Sequence, residues 1–418
     1  MATDLPHKSI PMSGSKKDAG SISTDLPEEM ITEILTRLAV KSLLRFKSVS
    51  KDWYSLITNP EFITAHLHNS TQKPSILLEG FRCEEEESSS TLSLLRHGDT
   101  STTFHSLRIP QSLIYDYTFM RNSFLDQEIE PDLSFTVLGS SGGLLCSKVR
   151  DNLRIDYVLW NPATRKFIYA KQPRQKFKLL LDGFGHNSKM NDNMLVKIGR
   201  LFQSPNLDVV MDLPFEIEKG DFVLRALVYS WKTDSWRLVY DCRLQSDDFY
   251  SRDDQAVSVK GVFYWHLHRS KDIILAFDTD NSVFRWIDFP RWNQYSTPVE
   301  VSLISGGIKD SLACSVFPNN GSTSLTIDIW VLDDSGAGVC SEESWRKLLT
   351  IPFLGTLHQV FTWGDKVMIN GKRDHQILIY DPISHEIICD SLNSDFSSYN
   401  MDGFVESLVS PGRWTEQF

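Results

Sequence analysis

The sequence is short of the features that mark several large protein classes. Its six cysteines, Cys83, Cys146, Cys242, Cys314, Cys340 and Cys389, are scattered singly. No C-x-x-C pair occurs, which argues against a structural zinc site and against a redox dithiol. Free thiols of a reducing compartment are the simple expectation, and they place the protein in the cytoplasm or nucleus. No apolar run approaches the roughly 18–20 residues that cross a bilayer. Residues 1–23 hold no continuous apolar stretch of the kind a secretory leader carries. Their Ser, Gly, Lys and Pro content predicts a disordered tail. Positive charge is short as well. The net charge is -11 with 23% charged residues, so neither a nucleic-acid nor a membrane partner is expected.

What is plentiful is aromatic side chains. The 418 residues include 11 tryptophans and 24 phenylalanines, and these fall in short, regular segments rather than in one stripe. Length and a 41% hydrophobic content allow two or three domains with sizeable cores.

The texture changes at Thr24. Asp25-Leu26-Pro27-Glu28-Glu29 predicts a helix start, with a capping Asp, a Pro near the first turn and two acids at the positive end of the dipole. Ile31, Ile34, Leu35 and Leu38 then follow the i, i+3, i+4, i+7 rhythm of one buried helical face. Val40, Leu43, Leu44 and Phe46 mark a second helix. Ser50 caps a third, carrying Trp53, Leu56 and Ile57, and Asn59-Pro60 opens a fourth through Phe62, Ile63 and Leu67. So small a unit has too little interior for all these side chains. Some of Leu26, Pro27, Ile31, Leu43, Leu44 and Trp53 must face another surface, either the rest of this chain or a partner.

The stretch L-P-E-E-M-I-T-E-I-L-T-R-L-A-V-K-S-L-L-R-F-K-S-V-S-K-D-W resembles an F-box, the adaptor-docking module of cullin-based ubiquitin ligases. The match runs through Leu26-Pro27, the spaced aliphatics, Lys41-Ser42-Leu43, Val49, and Lys51 with Trp53. Ala39 stands where a second proline is usual, and Ser48 and Ser50 where cysteine is frequent. The resemblance implies a Skp-family adaptor as partner and, through it, a cullin scaffold. Leu26, Pro27, Ile31, Ile34, Leu35, Leu43, Leu44, Val49 and Trp53 would carry docking, some by contact and some by shaping the helices.

Beyond residue 68 the pattern is that of strands. Ile76-Leu77-Leu78 and Thr103 to Leu107 predict strands, with an acidic, serine-rich loop between them over Glu84 to Glu87 and Ser88 to Ser90. From Gly139 a loose repeat begins, in which an apolar strand ends in an aromatic, a polar turn follows, and a second strand returns. Copies start at Tyr157, Ala226, Ile274 and Ile377, and a fifth, at Ile327, has a longer turn before Ser344-Trp345-Arg346. Asn161-Pro162, Asp278-Thr279 and Asp381-Pro382 suit tight turns. Partner hairpins start near glycine at Ser141, Val259 and Trp363. Two hairpins make a four-stranded blade, and a recurrence near roughly 50 residues is that of kelch-like propellers. Trp160, Tyr229, Phe277, Trp330 and Tyr380 are expected between blades as core. Gly143-Leu144-Leu145-Cys146, Leu159-Trp160-Asn161-Pro162-Ala163-Thr164-Arg165-Lys166, Tyr229-Ser230 and Trp236-Arg237 resemble the F-box-associated domain of plant proteins, which implies a plant source and a target-binding role.

The fold class expected is therefore an α+β multidomain chain, a small N-terminal helical F-box followed by an all-β kelch-like propeller. The boundaries are a tail over 1–23, the helical unit over 24–68, a connector with first strands over 69–138, repeats over 139–392 and a C-terminal segment over 393–418.

Chemistry of its own is hard to find. Gly139-Ser140-Ser141-Gly142-Gly143 lacks the Gly-Lys-Ser/Thr ending of a phosphate loop and predicts a turn entering a strand. His266 and His268 sit at i, i+2 on a strand without a third ligand, which favours edge-exposed histidines over a metal site. No catalytic residue, cofactor or metal is expected. The function expected is a substrate-recognition subunit of a cullin ubiquitin ligase that binds a target protein with its β domain. The alternatives are an interaction protein that does not drive degradation, and a propeller enzyme. Lys171, Arg174, Lys176 and Lys178 suit either a solvated loop or an acidic target, and no motif identifies the target-binding residues.

Overall fold

The computed structural model of the protein describes residues 27–72, 74–83, 88–95, 105–122, 133–151, 154–173, 177–201, 222–244, 250–251, 255–268, 271–291, 299–305, 307–318, 324–333, 345–355, 357–371, 377–390 and 398–412. Its N-terminal part is four short helices, α1 (Glu28–Leu35), α2 (Val40–Phe46), α3 (Lys51–Thr58) and α4 (Pro60–Thr71). Ser50 Oγ accepts from Trp53 N at 3.1 Å, and Asn59 Oδ1 accepts from Glu61 N at 2.8 Å with Pro60 in the first turn. Helix α1 starts differently. Pro27 occupies its cap position without a side-chain hydrogen bond, and the helix closes by Ile31 N donating to Pro27 O at 3.1 Å. Asp25, Leu26 and the tail lie outside the described residues.

The rest is a six-bladed propeller. The first blade contains β1 (Ser75–Cys83), β2 (Ser88–Leu95) and β3 (His105–Leu107), and helix α5 (Gln111–Asn122) follows it. The second runs through β4 (Ser134–Ser141), β5 (Leu144–Arg150), β6 (Ile155–Asn161) and β7 (Lys166–Tyr169). The third is β8 (Phe177–Asn187), β9 (Asp192–Leu201), β10 (Phe222–Ser230) and β11 (Ser235–Leu244). In the fourth, β12 (Tyr250–Ser251) and β13 (Val257–Val259) both pair with β14 (Val262–His268), ahead of β15 (Asp272–Asp278) and β16 (Val283–Asp288). The fifth holds β17 (Val299–Leu303), β18 (Ala313–Pro318), β19 (Ser324–Leu332) and β20 (Trp345–Gly355), and the sixth β21 (Leu357–Trp363), β22 (Lys366–Gly371), β23 (Ile377–Asp381) and β24 (Glu386–Asp390). A last strand, β25 (Ser398–Phe404), returns to pair antiparallel with β1, Leu77 opposite Asp402 and Glu79 opposite Asn400. One blade is thus built from both ends of the propeller, which closes the ring and leaves no open inter-blade edge.

The ring therefore extends past the 139–392 boundary, drawing β1 to β3 from before it and β25 from residues 393–418. Ser88 to Ser90 lie in β2 and not in a loop, while Glu84 to Glu87 lie outside the described residues. Of the strand expected over Thr103 to Leu107, His105–Leu107 is present and Thr103 and Phe104 are outside the described residues. Helix α5 has no counterpart in the sequence expectation. It buries Leu113 and Tyr117, four residues apart, against Leu77, Val137 and Trp160.

The repeat has a local cause. Four hairpins between third and fourth strands start with Asn161, Ser230, Asp278 or Asp381, and each side-chain oxygen accepts backbone N–H groups of its own turn. The fifth residue, Arg165, Asp234, Ser282 or His385, sits at φ between 52° and 59°. Closure is by Arg165 N to Asn161 O at 2.8 Å and His385 N to Asp381 O at 2.9 Å. The inner hairpins turn on pairs such as Gly142-Gly143 and Lys260-Gly261, all at positive φ, the geometry that a two-residue antiparallel hairpin requires. Between blades, Trp160, Tyr229, Phe277 and Tyr380 are fully buried, and Trp330 is partly buried against its neighbours.

Candidate functional site

Four helices cannot form a closed core, and the structure shows how the deficit is met on one side only. Leu35, Val40, Leu43, Ile57 and Phe62 form the interior, with Ile31, Leu38, Leu44, Phe46 and Trp53 partly buried around them. Phe46 and Trp53 pack edge-on at 5.1 Å. The cluster is completed by two residues from elsewhere, Leu408 and Ala163. Ile63 and Leu67 of α4 pack further onto the propeller cluster that holds Leu138 and Leu144, with Val409 from beyond β25. Because antiparallel strands alternate direction, the β4–β5 and β6–β7 turns lie at the same end of the second blade. The helical unit sits on that end.

Other apolar side chains of the helical unit are not covered by the chain. Met30 (51% exposed), Ile34 (49%), Val49 (63%) and Tyr54 (55%) are large apolar side chains facing solvent. Pro27 is exposed as well. The nine residues singled out from sequence therefore divide. Pro27, Ile34 and Val49 are open, Ile31, Leu44 and Trp53 are half-buried, Leu35 and Leu43 are interior, and Leu26 is outside the described residues. Leu43 supports the surface from beneath and does not face outward. Met30 and Tyr54 were not singled out, although Met30 lies four residues before Ile34 and shares its helix face.

The junction between helices and propeller is polar at two points. His66 is buried and donates from Nε2 to Leu38 O at 2.9 Å. Burial lowers its pKa, against the pull of the Leu38 carbonyl and of Glu406. Burial and the nearby Lys166 charge lower that of Lys47.

A concavity lies on the propeller axis, a cavity of about 460 Å³ lined by residues from all six blades, among them Ser140, His186, Gln255, Ser305, Thr362 and Asp402. Burial raises the Asp402 carboxyl to about 7, although it accepts from Gly403 N at 2.8 Å and from Ser140 N. Glu79, beside it in the ring, is raised to about 7 by burial, with Val137 N donating to its Oε1 at 3.2 Å.

The remaining candidates for chemistry resolve as structure. His266 is not edge-exposed. It is 1% exposed, and it shares Asp272 Oδ1 with His268 at 3.0 and 2.9 Å. Strand β14 runs inside its blade, paired on both sides, and His266 packs there while His268, at the strand's end, stays partly exposed. Among the described residues no group of three or more His, Cys, Asp or Glu is arranged to hold a metal. Cys146 and Cys314 are free and buried, and burial pushes both thiols up, which removes the thiolate a nucleophile needs. The Gly139 to Gly143 run is the end of β4 and its turn. Of the basic group, Lys171 pairs with Asp234 at 2.5 Å, and Arg174 and Lys176 lie outside the described residues.

Comparison with known proteins follows the same division. The F-box domain family matches residues 23–64, and the F-box associated beta propeller domain family matches residues 101–399. An Arabidopsis thaliana protein named as an F-box protein is 24% identical over 350 residues, 82% of this chain and 84% of its own length. A second is 24% identical over 400 residues, covering 93% and 91%. An Arabidopsis F-box/kelch-repeat protein is 28% identical over 264 residues, covering 61% of this chain and 57% of its own. Among solved structures, TolB from Acinetobacter baumannii aligns with 79% of this chain and 66% of that chain at a TM-score of 0.44 and 8% identity, a likeness too distant to argue from.

Proposed function

We infer the function from one premise: this chain belongs to the F-box associated beta propeller family and carries an F-box domain ahead of its propeller. It is the target-holding subunit of a cullin-type ubiquitin ligase. The helical unit docks a Skp-family adaptor, the adaptor joins it to the cullin scaffold, and the propeller holds a target protein. The observation that carries this reading is the exposure of four large apolar side chains, Met30, Ile34, Val49 and Tyr54, on a small helical unit whose core Leu408 and Ala163 help to close. A monomeric surface seldom leaves such side chains grouped without a partner. Pro27, Ile34 and Val49 make direct contact in this reading, together with Leu26 and the exposed parts of Ile31, Leu44 and Trp53. Leu35 and Leu43 hold the helices in register beneath them.

Catalysis is by proximity. A target bound to the propeller is presented to a conjugating enzyme elsewhere on the scaffold, at an effective concentration far above its free one. The chain itself then transfers no group, consistent with two buried, unreactive thiols at Cys146 and Cys314. The same reduced thiols favour the cytoplasm or nucleus. The end of the propeller away from the helices is the face left for the target.

The test is a pull-down from plant extract with the full chain and with an Ile34→Asp, Val49→Asp double variant. The wild-type chain recovers adaptor and cullin and the variant recovers neither, while both keep the same thermal transition. Equal recovery by the two chains sinks the assigned face. Target half-life in cells with and without the protein then separates a degradation receptor from a binding protein that does not drive turnover.

A further inference from the structure

After β25 the chain does not leave the molecule. Residues 405–411 run without regular secondary structure between the helical unit and the second blade, and Ser407, Leu408 and Val409 are all buried. Leu408 points into the helical core beside Leu43 and Ile57, and Val409 into the propeller cluster with Leu144 and Tyr229. Ile63 of α4 touches both clusters. One short strap is therefore an apolar peg in each of two domains.

Its polar backbone is held by one residue. Asn161 is fully buried. Its Nδ2 donates to Ser407 O at 3.0 Å and to Val409 O at 2.7 Å, while its Oδ1 accepts from Ala163 N at 2.8 Å and Thr164 N at 3.2 Å. With two carbonyls on one side and two N–H groups on the other, only one orientation of the amide satisfies all four partners. The other blades show which half of this the turn needs. Asp278 Oδ1 accepts from Asp280 N and Asn281 N, and Asp381 Oδ1 from Ile383 N and Ser384 N, with the same backbone turn and no strap. An acceptor suffices for the turn. The amide donor at Asn161 serves the strap alone. Gly143 agrees, since a Cβ there would lie 2.2 Å from Ser407 Oγ and 2.6 Å from Val405 O, whereas at the matching Gly261 nothing is nearer than 3.4 Å. Ser407 Oγ completes the seat by donating to Gly142 O at 2.9 Å.

We propose that the strap 405–411 is a clamp that fixes the adaptor-docking helices on the second blade, and that Asn161 is its positioning residue. The inference rests on the function given above to the helical unit. It assigns a purpose within that function: a ligase that works by proximity needs a set distance and angle between adaptor and target.

The experiment is hydrogen exchange by mass spectrometry on the full chain, comparing wild type, Asn161→Asp, Asp381→Asn and Leu408→Ser, with adaptor binding measured on the same samples. Asn161→Asp keeps the acceptor the turn needs and sets a carboxylate oxygen against two carbonyls. Losing those two hydrogen bonds should speed exchange in α1 to α4 by about tenfold or more. The third to fifth blades and adaptor affinity should be unchanged. Asp381→Asn should change nothing. Leu408→Ser, which leaves the turn untouched, should loosen the same helices. Unchanged exchange in α1 to α4 for Asn161→Asp overturns the role of Asn161, and unchanged exchange there for Leu408→Ser overturns the clamp. Equal loosening of every blade would make Asn161 a fold residue and also overturn the proposal. If wild type itself binds no adaptor, the functional reading fails, while the exchange data still decide whether the clamp exists.

Discussion

The propeller and the helical unit differ in how they finish their cores. The propeller closes its ring of sheets with its own strands, down to β25 returning to pair with β1. The helical unit takes Leu408 from the strap and Ala163 from the propeller, and leaves Met30, Ile34, Val49 and Tyr54 exposed. A ring of blades buries both faces of each sheet, so closure ends its need for partners. Four short helices have more apolar surface than interior; part of it is covered within the chain, and the function proposed above gives the rest to an outside partner. Incomplete burial in a small unit is thus a sign of where a partner docks.

The sharpest way to separate the two regions is to shorten the chain at two points. Ending it after residue 397 removes β25 and the strap together. Strand β1 then presents an open edge and the first blade loses a strand, so no cooperative thermal transition should remain in either region. Ending it after Phe404 keeps the ring closed and removes only the strap. The propeller should then keep a cooperative transition, lowered by the loss of Val409 and of the partners of Asn161, while α1 to α4 become exchange-labile. Calorimetry with hydrogen exchange on both chains decides this. If the longer truncation product melts like the full chain with protected helices, the two regions do not depend on the C-terminal segment in the way described.

Both regions announce themselves in sequence, for different physical reasons. The helical unit is legible because its signals are local: Ser50 and Asn59-Pro60 cap helices with their own side chains, and the apolar spacing from Ile31 to Leu38 is that of one helix face. The inner hairpins and the Asn161, Asp278 and Asp381 turns are legible because each turn is capped by its own first residue. What is not legible depends on distant chain. The serines of β2 give no strand signal, and they are ordered by pairing with β1, which β25 holds on its other side. Helix α5 is set by a pocket between blades that no local pattern encodes. In the docking unit, spacing reveals which residues are apolar but not which side the propeller covers. Leu43 and Val49 therefore look alike in sequence and end at opposite extremes of exposure.

Acid should move the two regions in opposite directions. Glu79, raised from 4.5 to about 7, favours its protonated form in the folded ring. That contribution is fully present below pH 4.5 and is lost as pH rises through 7, on the order of 3 kcal/mol for a shift of this size. Asp402 acts with the same sign. His66 is shifted down from 6.5, so its contribution is present above that value and is lost as pH falls through its folded pKa. Going from pH 8 to pH 5.5, the propeller should unfold at higher denaturant concentration, while protection in α4, measured against the intrinsic exchange rate at each pH, falls. Glu79→Gln should reduce the first response to the part that Asp402 carries and leave the second intact. A propeller midpoint that falls on acidification, in wild type and variant alike, would contradict the assignment of Glu79.

The smallest effect belongs to the open face, and it tests the comparison most directly. Ile34 and Leu35 are neighbours on α1, but Ile34 is 49% exposed and Leu35 3%. Shortening Leu35 would leave a void beside Leu43 and Ile57 that the packed core cannot fill, and the helices would loosen. Ile34→Ser removes apolar atoms that already face water, so the folded state loses little that the unfolded state does not also lose. Its effect on stability should stay within about 0.5 kcal/mol, measured by chemical denaturation with exchange in α1 as the local readout. A larger loss would mean that Ile34 is held by this chain after all. The exposed face would then belong to the fold, and the need for a second, outside partner would fall with it.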